Sequence, residues 1–409
     1  MKQFNIPAFY KSPIISKVKE IRKVEDPRKK DFTPTLLDFG PVQFYIARHF
    51  GFCFGVENAI EISYRALEEN KGKRIFLLSQ MIHNPDVNNN LTSHGIQFLQ
   101  DTKGNELISF DMLTSEDVVI IPAFGTTLEI ENKLKEIGVD IKAYNTTCPF
   151  VEKVWNRSQN LGKSEHTIVI HGKHNHEETR ATFSHSSENA PSIIVKNLEE
   201  TKILSKFILG NNTKEEFENY FKGRFSQDFN FDEHLKKIGV VNQTTMLATE
   251  TQEIADYLRQ TMIDKFGESN IKDHFADTRD TLCYATNDNQ NATYGLMETD
   301  SDLAIVVGGY NSSNTTHLVE LLEQKFPTYF IANDEEIQNK NLIKYFDIHE
   351  KKIKEKLNFL PEKSPVKIIL TSGASCPDSM VDRVLHKILS YYDNTKEVDK
   401  VLESIETEN

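Results

Sequence analysis

One pattern recurs along this chain and limits its fold more than any other feature. A short run of β-branched and apolar residues is followed by a polar or glycine-bearing loop and then by a helix-like stretch. Val42–Ala47 leads through HFGFCFG into the amphipathic run Glu57–Glu69. Arg74–Leu78 leads to SQMIHNPDV, Val118–Ile121 to PAFGTTLEIENKLKEIG, and Thr167–His171 to GKHNHEETRATF. Leu303–Val307 leads to GGYNSSNTTHLVELLEQ and Val366–Leu370 to TSGASCPDSMVDRVLHKI. Strands alternating with helices form parallel sheets flanked by helices. Most of these runs are apolar throughout, as expected of strands buried on both faces. Ligands in such sheets bind beyond the carboxyl ends of the strands, so function is expected in these loops.

A chain of 409 residues is too long for one core, and the repeated units exceed one ordinary sheet. The expected fold class is therefore α/β, with three small domains of parallel sheet flanked by helices. The divisions fall near Cys148 and Cys283: an N-terminal extension 1–41, domains 42–148, 149–282 and 283–393, and an acidic C-terminal tail 394–409. Within the middle domain, the charged and aromatic segment 199–237 reads as a helical insertion. The extension reads as carrying one short helix. It is rich in Lys and Arg but also holds Glu20, Glu25 and Asp26, unlike a transit peptide.

A net charge of −13 argues against nucleic acid or an anionic membrane as partner, since both require a basic face. The apolar runs are too short to span a membrane, and the N-terminus lacks the pattern of a secretory signal. The expected location is cytoplasmic, or the plastid stroma if the source is a plant or alga.

Only four cysteines occur: Cys53, Cys148, Cys283 and Cys376. That is too few for a disulfide scaffold. In GFCFGVENAI, TTCPFVEKVW and TLCYATNDNQ the cysteine lies just ahead of an expected helix, and Pro149 suits a first helical position. A helix N-terminus stabilises a thiolate, the form that binds metal or attacks a substrate. Spacing alone fits three buried core thiols equally well, and no CxxC pair signals a zinc ribbon or a ferredoxin-type cluster.

The loops add hydroxyl, amide and imidazole groups. HNHEET carries His174, His176, Glu177 and Glu178; NSSNTT carries Asn311, Ser312, Ser313 and Asn314. TSGAS carries Ser372 and Ser375, MIHNPD carries His83, and NQTT carries Gln243, Thr244 and Thr245. Singly, each reads as a helix cap or surface residue. Together they are the groups that bind phosphate without a basic patch. With no P-loop and no GxGxxG, a small phosphorylated ligand is expected, with Glu178 as proton donor.

GFCFGV, MIHNP, NTTCPFVEKVW, HGKHNHEET, NQTTM, CYAT, VVGGYNSSNT and TSGASCPD resemble, in order, the signature segments of the 4-hydroxy-3-methylbut-2-enyl diphosphate reductases of the non-mevalonate isoprenoid pathway. The resemblance runs from about Val42 to about Ile388. It implies three α/β domains in a pseudo-threefold arrangement around a central cavity. It also implies a [4Fe–4S] cluster held by Cys53, Cys148 and Cys283, whose fourth iron is open to the substrate hydroxyl. His83, His176, Ser312, Ser313, Asn314 and Ser375 match diphosphate-binding positions, Glu178 the carboxylate that feeds protons, and Thr244 the hydroxyl beside it. The implied reaction is reductive removal of the substrate hydroxyl to give isopentenyl and dimethylallyl diphosphate. Electrons would come from a ferredoxin- or flavodoxin-like donor.

One departure matters. Many bacterial members have a histidine where this chain has Phe124; the PAFG and NTTCP forms and the 199–237 insertion resemble the plant and cyanobacterial branch. A phenyl ring donates no hydrogen bond, so Phe124 is not expected to be a site residue. Cys376 is not expected to be a ligand, because a fourth thiolate would close the open iron. Two other readings share the three cysteines: a dehydratase of the quinolinate-synthase kind, and a non-catalytic iron–sulfur sensor. The sensor would need neither Glu178 nor the Ser/Asn loops.

Overall fold

The structure is a computed structural model that describes residues 4–276 and 281–407, so the extreme ends of the extension and the tail lie outside the described residues. The chain gathers into two compact units. Unit one comprises residues 1–57, 82–89 and 284–409, and unit two comprises residues 58–81 and 90–283. Among the described residues the strands are, in chain order, β1 (Thr35–Asp38), β2 (Val42–Ile46), β3 (Ile75–Leu77), β4 (Gln97–Phe98), β5 (Val118–Ile120), β6 (Thr167–His171), β7 (Ser192–Val195), β8 (Ile238–Asn242), β9 (Leu303–Val307), β10 (Thr328–Ile331), β11 (Ile337–Asn339), β12 (Leu342–Asp347), β13 (Lys352–Leu357) and β14 (Val366–Ser372). The strand-like runs read from the sequence all appear, within a few residues at their ends.

Unit one is built on a five-stranded sheet of order β1-β2-β14-β9-β10. Its strands are parallel apart from β1, which runs antiparallel to β2. β2 pairs with β14 from Val42↔Val366 to Ile46↔Leu370, so the first strand of the repeat lies in the sheet that carries the last. Phe44, Ile46, Val306, Phe330 and Leu370 are fully buried in its core. A small antiparallel sheet, β11-β12-β13, lies outside the strand–loop–helix rhythm. Its Phe346 stacks on Tyr310 with ring centroids 4.6 Å apart, which props the loop after β9.

The described parts of the extension and of the C-terminal segment pack into the core of unit one. The extension forms the helix Pro13–Glu25, capped by the Ser12 side chain and with Pro13 at its first turn. Ile14, Ile15 and Val18 are buried on one helical face. The acidic segment after 394 is not a free tail: it forms the helix Val398–Thr407, whose Val401 and Ile405 join the core. An apolar pair one turn apart holds it there despite its charge.

Unit two holds two three-stranded parallel sheets, β4-β3-β5 and β7-β6-β8. Segment 199–237 contributes the helices Lys214–Tyr220 and Phe231–His234 and most of Leu198–Ile208. Phe207, Phe217 and Phe221 face inward, and Phe217 stacks on Phe229 at 5.3 Å. These aromatics join the core of the β7-β6-β8 sheet beside Val169, Ile193 and Val240, so the segment is held there without a strand of its own. No helix among the described residues is long and apolar enough to cross a membrane.

Candidate functional site

In unit one the loops after β2, β9 and β14 meet the segment 82–84. The Asn314 carboxamide oxygen accepts from the Ala374 N–H at 2.9 Å and from Asn289 Nδ2 at 3.2 Å. Ser375 Oγ donates to the His83 carbonyl at 3.3 Å. The Cys53 N–H donates to the Ala374 carbonyl at 3.2 Å. Cys53, His83, Ser312, Ser313, Asn314 and Ser375 therefore share one neighbourhood. Gly309 makes the closeness possible, since a Cβ there would lie 2.1 Å from the His83 carbonyl oxygen. Ser312 caps the helix Ser313–Leu322, its hydroxyl accepting from the Thr315 N–H at 3.2 Å.

This cradle is rich in buried donors. Asn314 Nδ2 and Asn84 Nδ2 are buried and have no hydrogen-bond partner among the described residues. A buried amide donor left unmade costs about 1–3 kcal/mol. An anion seated at a helix N-terminus would satisfy such groups. Asn84 and Asn289 were not singled out from the sequence. Asn84 lies just ahead of the helix Pro85–Ser93, and its oxygen accepts from the Val87 N–H at 3.2 Å. Asn289 lies in a helix, Tyr284–Met297, that buries Thr286, Asn289, Gln290 and Thr293. A polar helix with buried polar residues is the sequence signal that CYATNDNQN offered.

In unit two, Cys148 is the N-cap of the helix Pro149–Lys163, with Pro149 at its first turn as expected. Its N–H is held by the Ala123 carbonyl at 3.0 Å, and the Cys283 N–H by the Thr244 carbonyl at 3.1 Å. Both thiols are partly exposed. Burial pushes the Cys148 thiol up to about 12, and the nearby charges of Cys283 and Glu178 add to the rise, against the Phe150 N–H that pulls it down. Cys148, whose affinity for protons is raised by Cys283 and Glu178, lies in a donor set suited to a cationic centre.

Glu178 lies in the first turn of the helix Glu177–Ser187 and is 1% exposed. Burial raises its carboxyl to about 7, against the N–H and hydroxyl of Thr244, which favour the ionised form. The Thr244 N–H donates to Glu178 Oε1 at 2.5 Å. His176 caps the same helix, its Nδ1 accepting from the Glu178 N–H at 3.2 Å. The neutral ring then carries its proton on Nε2, a donor. The Phe124 ring lies edge-on to His176 at 5.6 Å, so the residue that departs from the bacterial pattern packs against an expected site residue.

Glu177 is a second buried carboxyl. It accepts from the Ser79 hydroxyl and faces a cavity of about 320 Å³ that Arg180, Lys103 and Thr126 also line. Burial raises it to about 7; Ser79 and Arg180 oppose the rise and Asp101 adds to it.

Cys376 stands apart from these groups. It is fully buried in the core of unit one, its thiol 3.7 Å from Met380 Sδ, and burial pushes its pKa upward. Among the described residues, no three His, Cys, Asp or Glu side chains converge on a site for a single metal ion.

Comparison with known proteins gives these groups a context. The family described as LytB protein matches residues 44–389. A 4-hydroxy-3-methylbut-2-enyl diphosphate reductase of a Picosynechococcus species is 39% identical over 86% of this chain and 85% of its own length. The enzyme of the same name from Microcystis aeruginosa is 41% identical over 87% of this chain and 86% of its own. The solved structure of the E-1-hydroxy-2-methyl-but-2-enyl-4-diphosphate reductase from Plasmodium falciparum superposes with a TM-score of 0.60 at 22% identity, covering 89% of this chain and 98% of that one. A second solved structure, of (E)-4-hydroxy-3-methyl-but-2-enyl diphosphate reductase, the terminal enzyme of the non-mevalonate pathway, gives a TM-score of 0.52 at 23% identity, covering 85% and 99%. The two structures agree with the α/β fold. The chain belongs to the LytB family, the 4-hydroxy-3-methylbut-2-enyl diphosphate reductases, and is an oxidoreductase.

Proposed function

We propose that this chain reductively dehydroxylates 4-hydroxy-3-methylbut-2-enyl diphosphate to isopentenyl and dimethylallyl diphosphate. The observation that carries the reading is a family match spanning residues 44–389, which takes in all three cysteines and Glu178. Cys53, Cys148 and Cys283 would hold a [4Fe–4S] cluster. The charge effects of Cys283 and Glu178 on Cys148 support this, because a cationic iron centre relieves them. When bound, the cluster stores electrons and offers a Lewis-acidic iron.

The chain's own residues account for the rest. Ser312, Ser313, Asn314, Ser375 and His83 bind the diphosphate at the N-terminus of the helix Ser313–Leu322, supported by the buried donors of Asn314 and Asn84. His176 contributes a donor from Nε2. Glu178 holds a proton near neutral pH because of its burial, and it releases that proton to the departing hydroxyl. The Thr244 N–H stabilises the carboxylate that remains, and its hydroxyl orients the substrate oxygen. Two protons and two electrons enter, one C–O bond breaks, water leaves, and one carbon gains hydrogen.

The electrons come singly from a ferredoxin- or flavodoxin-like donor, in the cytoplasm or plastid stroma. The same proposal keeps three α/β domains with divisions near Cys148 and Cys283, supported by the sheets β4-β3-β5 and β7-β6-β8 and by the sheet of β9 and β14, to which β2 is added from the first segment. The test is anaerobic purification followed by assay with a chemical reductant and the hydroxymethylbutenyl diphosphate. Substrate-dependent oxidation of the reductant by cluster-loaded protein is expected, and its absence refutes the reading.

A further inference from the structure

The segment that carries Cys53 is gripped from one side by the N-terminal extension. Phe32 meets His49 edge-on at 5.8 Å, and Lys19 Nζ lies 4.6 Å from the Phe50 ring centroid. Tyr10 meets Phe52 at 5.6 Å, and Phe4 meets Phe54 at 4.8 Å. Arg48 donates to the carbonyls of Arg22 and Asp26, both at 3.1 Å. Gly51 has a φ of +76°, and a Cβ there would lie 2.4 Å from Asp378 Oδ1 and 2.9 Å from Lys19 Nζ. Those two groups form an ion pair at 2.6 Å that closes over it. Arg48, His49, Phe50, Phe52 and Phe54 thus each meet a side chain or a carbonyl of the extension. Cys53 itself is partly exposed, and its N–H is fixed by Ala374.

The extension lies outside the strand–loop–helix repeat; Ser12 also donates to Asp382 at 2.9 Å, while its aromatic contacts gather on the repeat loop after β2, which holds Cys53. Simple coverage of core surface needs only the apolar face of the helix Pro13–Glu25. It does not need aromatic side chains placed before and after that helix, each set against a successive ring of HFGFCF.

We propose that residues 4–32 act as a clasp that holds the Cys53 loop in the conformation presenting its thiol, which makes Phe4, Tyr10, Lys19 and Phe32 positioning residues for the metal centre. The proposal rests on the reading of Cys53 as a cluster ligand. The clasp predicts a local effect: loosening it frees Cys53 while Cys148, Cys283 and Cys376 keep their surroundings.

The experiment uses the full chain. Metal-free protein is treated with iodoacetamide, and alkylation of each cysteine is followed by peptide mass spectrometry. Removing two aromatic pairs in Phe4→Ala/Tyr10→Ala is expected to raise the Cys53 rate about tenfold relative to Cys148 and Cys283, given the strength of such pairs. Phe4→Leu/Tyr10→Phe, which keeps most of the packing, is expected to restore most of the slow rate. In cluster-loaded protein, the double alanine variant is expected to lose iron to a chelator several times faster.

An unchanged Cys53 ratio overturns the clasp. So does a uniform acceleration of all the thiols, which would mean general loosening. The ligand reading is separated by Cys53→Ser: unaltered iron content in that variant refutes it, while the alkylation ratio still decides the clasp.

Discussion

Asn289 donates from Nδ2 to the Asn314 carboxamide oxygen at 3.2 Å, and this bond orients the Asn314 amide. With its oxygen also taken by the Ala374 N–H, the Nδ2 of Asn314 is the atom left as a buried donor. Asn289 thus sets which end of Asn314 would face the diphosphate in the proposed site. Asn314→Asp keeps the accepting oxygen and replaces that donor with a second oxygen. At pH 8, where the new carboxyl is ionised, KM for the diphosphate substrate should rise about tenfold or more, because a hydrogen bond to a charged group is lost and like charge is added. Steady-state kinetics on cluster-loaded protein checks this, and an unchanged KM removes Asn314 from the binding set.

The contrast between Asn314 and Asn289 shows what the sequence makes legible. The strands Leu303–Val307 and Val366–Ser372 are buried along almost their whole length, so their apolar runs announced them. Asn314 lies in a loop-to-helix junction, where a strand-end rule points directly. Asn289 is buried inside a helix without an apolar stripe, and its role exists only because Ala374 and Asn314 come to it. The pairing of β2 with β14 is equally silent, since parallel pairing between distant segments leaves no local trace. The grip on Cys53 was also hidden: Phe4 and Tyr10 carry no motif, and their meaning comes from Phe52 and Phe54.

Gly309 tests the closeness of the unit-one loops. In Gly309→Ala the new methyl meets the His83 carbonyl oxygen, a backbone atom that cannot swing aside. The expected cost is about 1–3 kcal/mol of stability, with a raised KM because His83 and Ser375 move together. Chemical denaturation and kinetics check both halves, and an unchanged variant shows that the loops separate at no cost.

Glu178→Gln removes the acid and keeps the shape. Cluster content should match the parent, while kcat should fall about a hundredfold or more, the usual scale of general-acid catalysis. Iron analysis and turnover with a chemical reductant check this. An unchanged rate refutes the proton role, even though burial holds the Glu178 carboxyl at about 7.

Glu177 gives a pH signature in stability. Its folded pKa of about 7 lies above the ordinary 4.5, chiefly through burial. The unfolded chain therefore loses this proton first as pH rises. Its contribution is fully present below about 4.5, declines as pH climbs toward 7, and is gone above it. A rise of that size corresponds to about 3 kcal/mol. Glu177→Gln should flatten the fall in stability between about pH 4.5 and 7 by that order, with Glu178 still contributing its own fall. Ser79 acts on Glu177 only through its hydroxyl, and Asp101, which adds to the rise, is itself held below the ordinary carboxylate range by the Asn105 side chain and N–H. Denaturant midpoints across the window measure it, and equal slopes in parent and variant refute the buried-acid account.

Cys376 is the last discriminating residue, because it follows Ser375 directly and is the remaining thiol. Its side chain is fully buried among core residues and contacts Met380 and the Pro377 carbonyl. Cys376→Ser should therefore leave iron content and the electronic spectrum of the loaded protein unaltered. It should lower stability by about 1–3 kcal/mol, the cost of a buried hydroxyl that lacks a full set of partners. Loss of iron from this variant, with iron retained in a Cys283→Ser control, would overturn the assignment of Cys53, Cys148 and Cys283 as the ligand set.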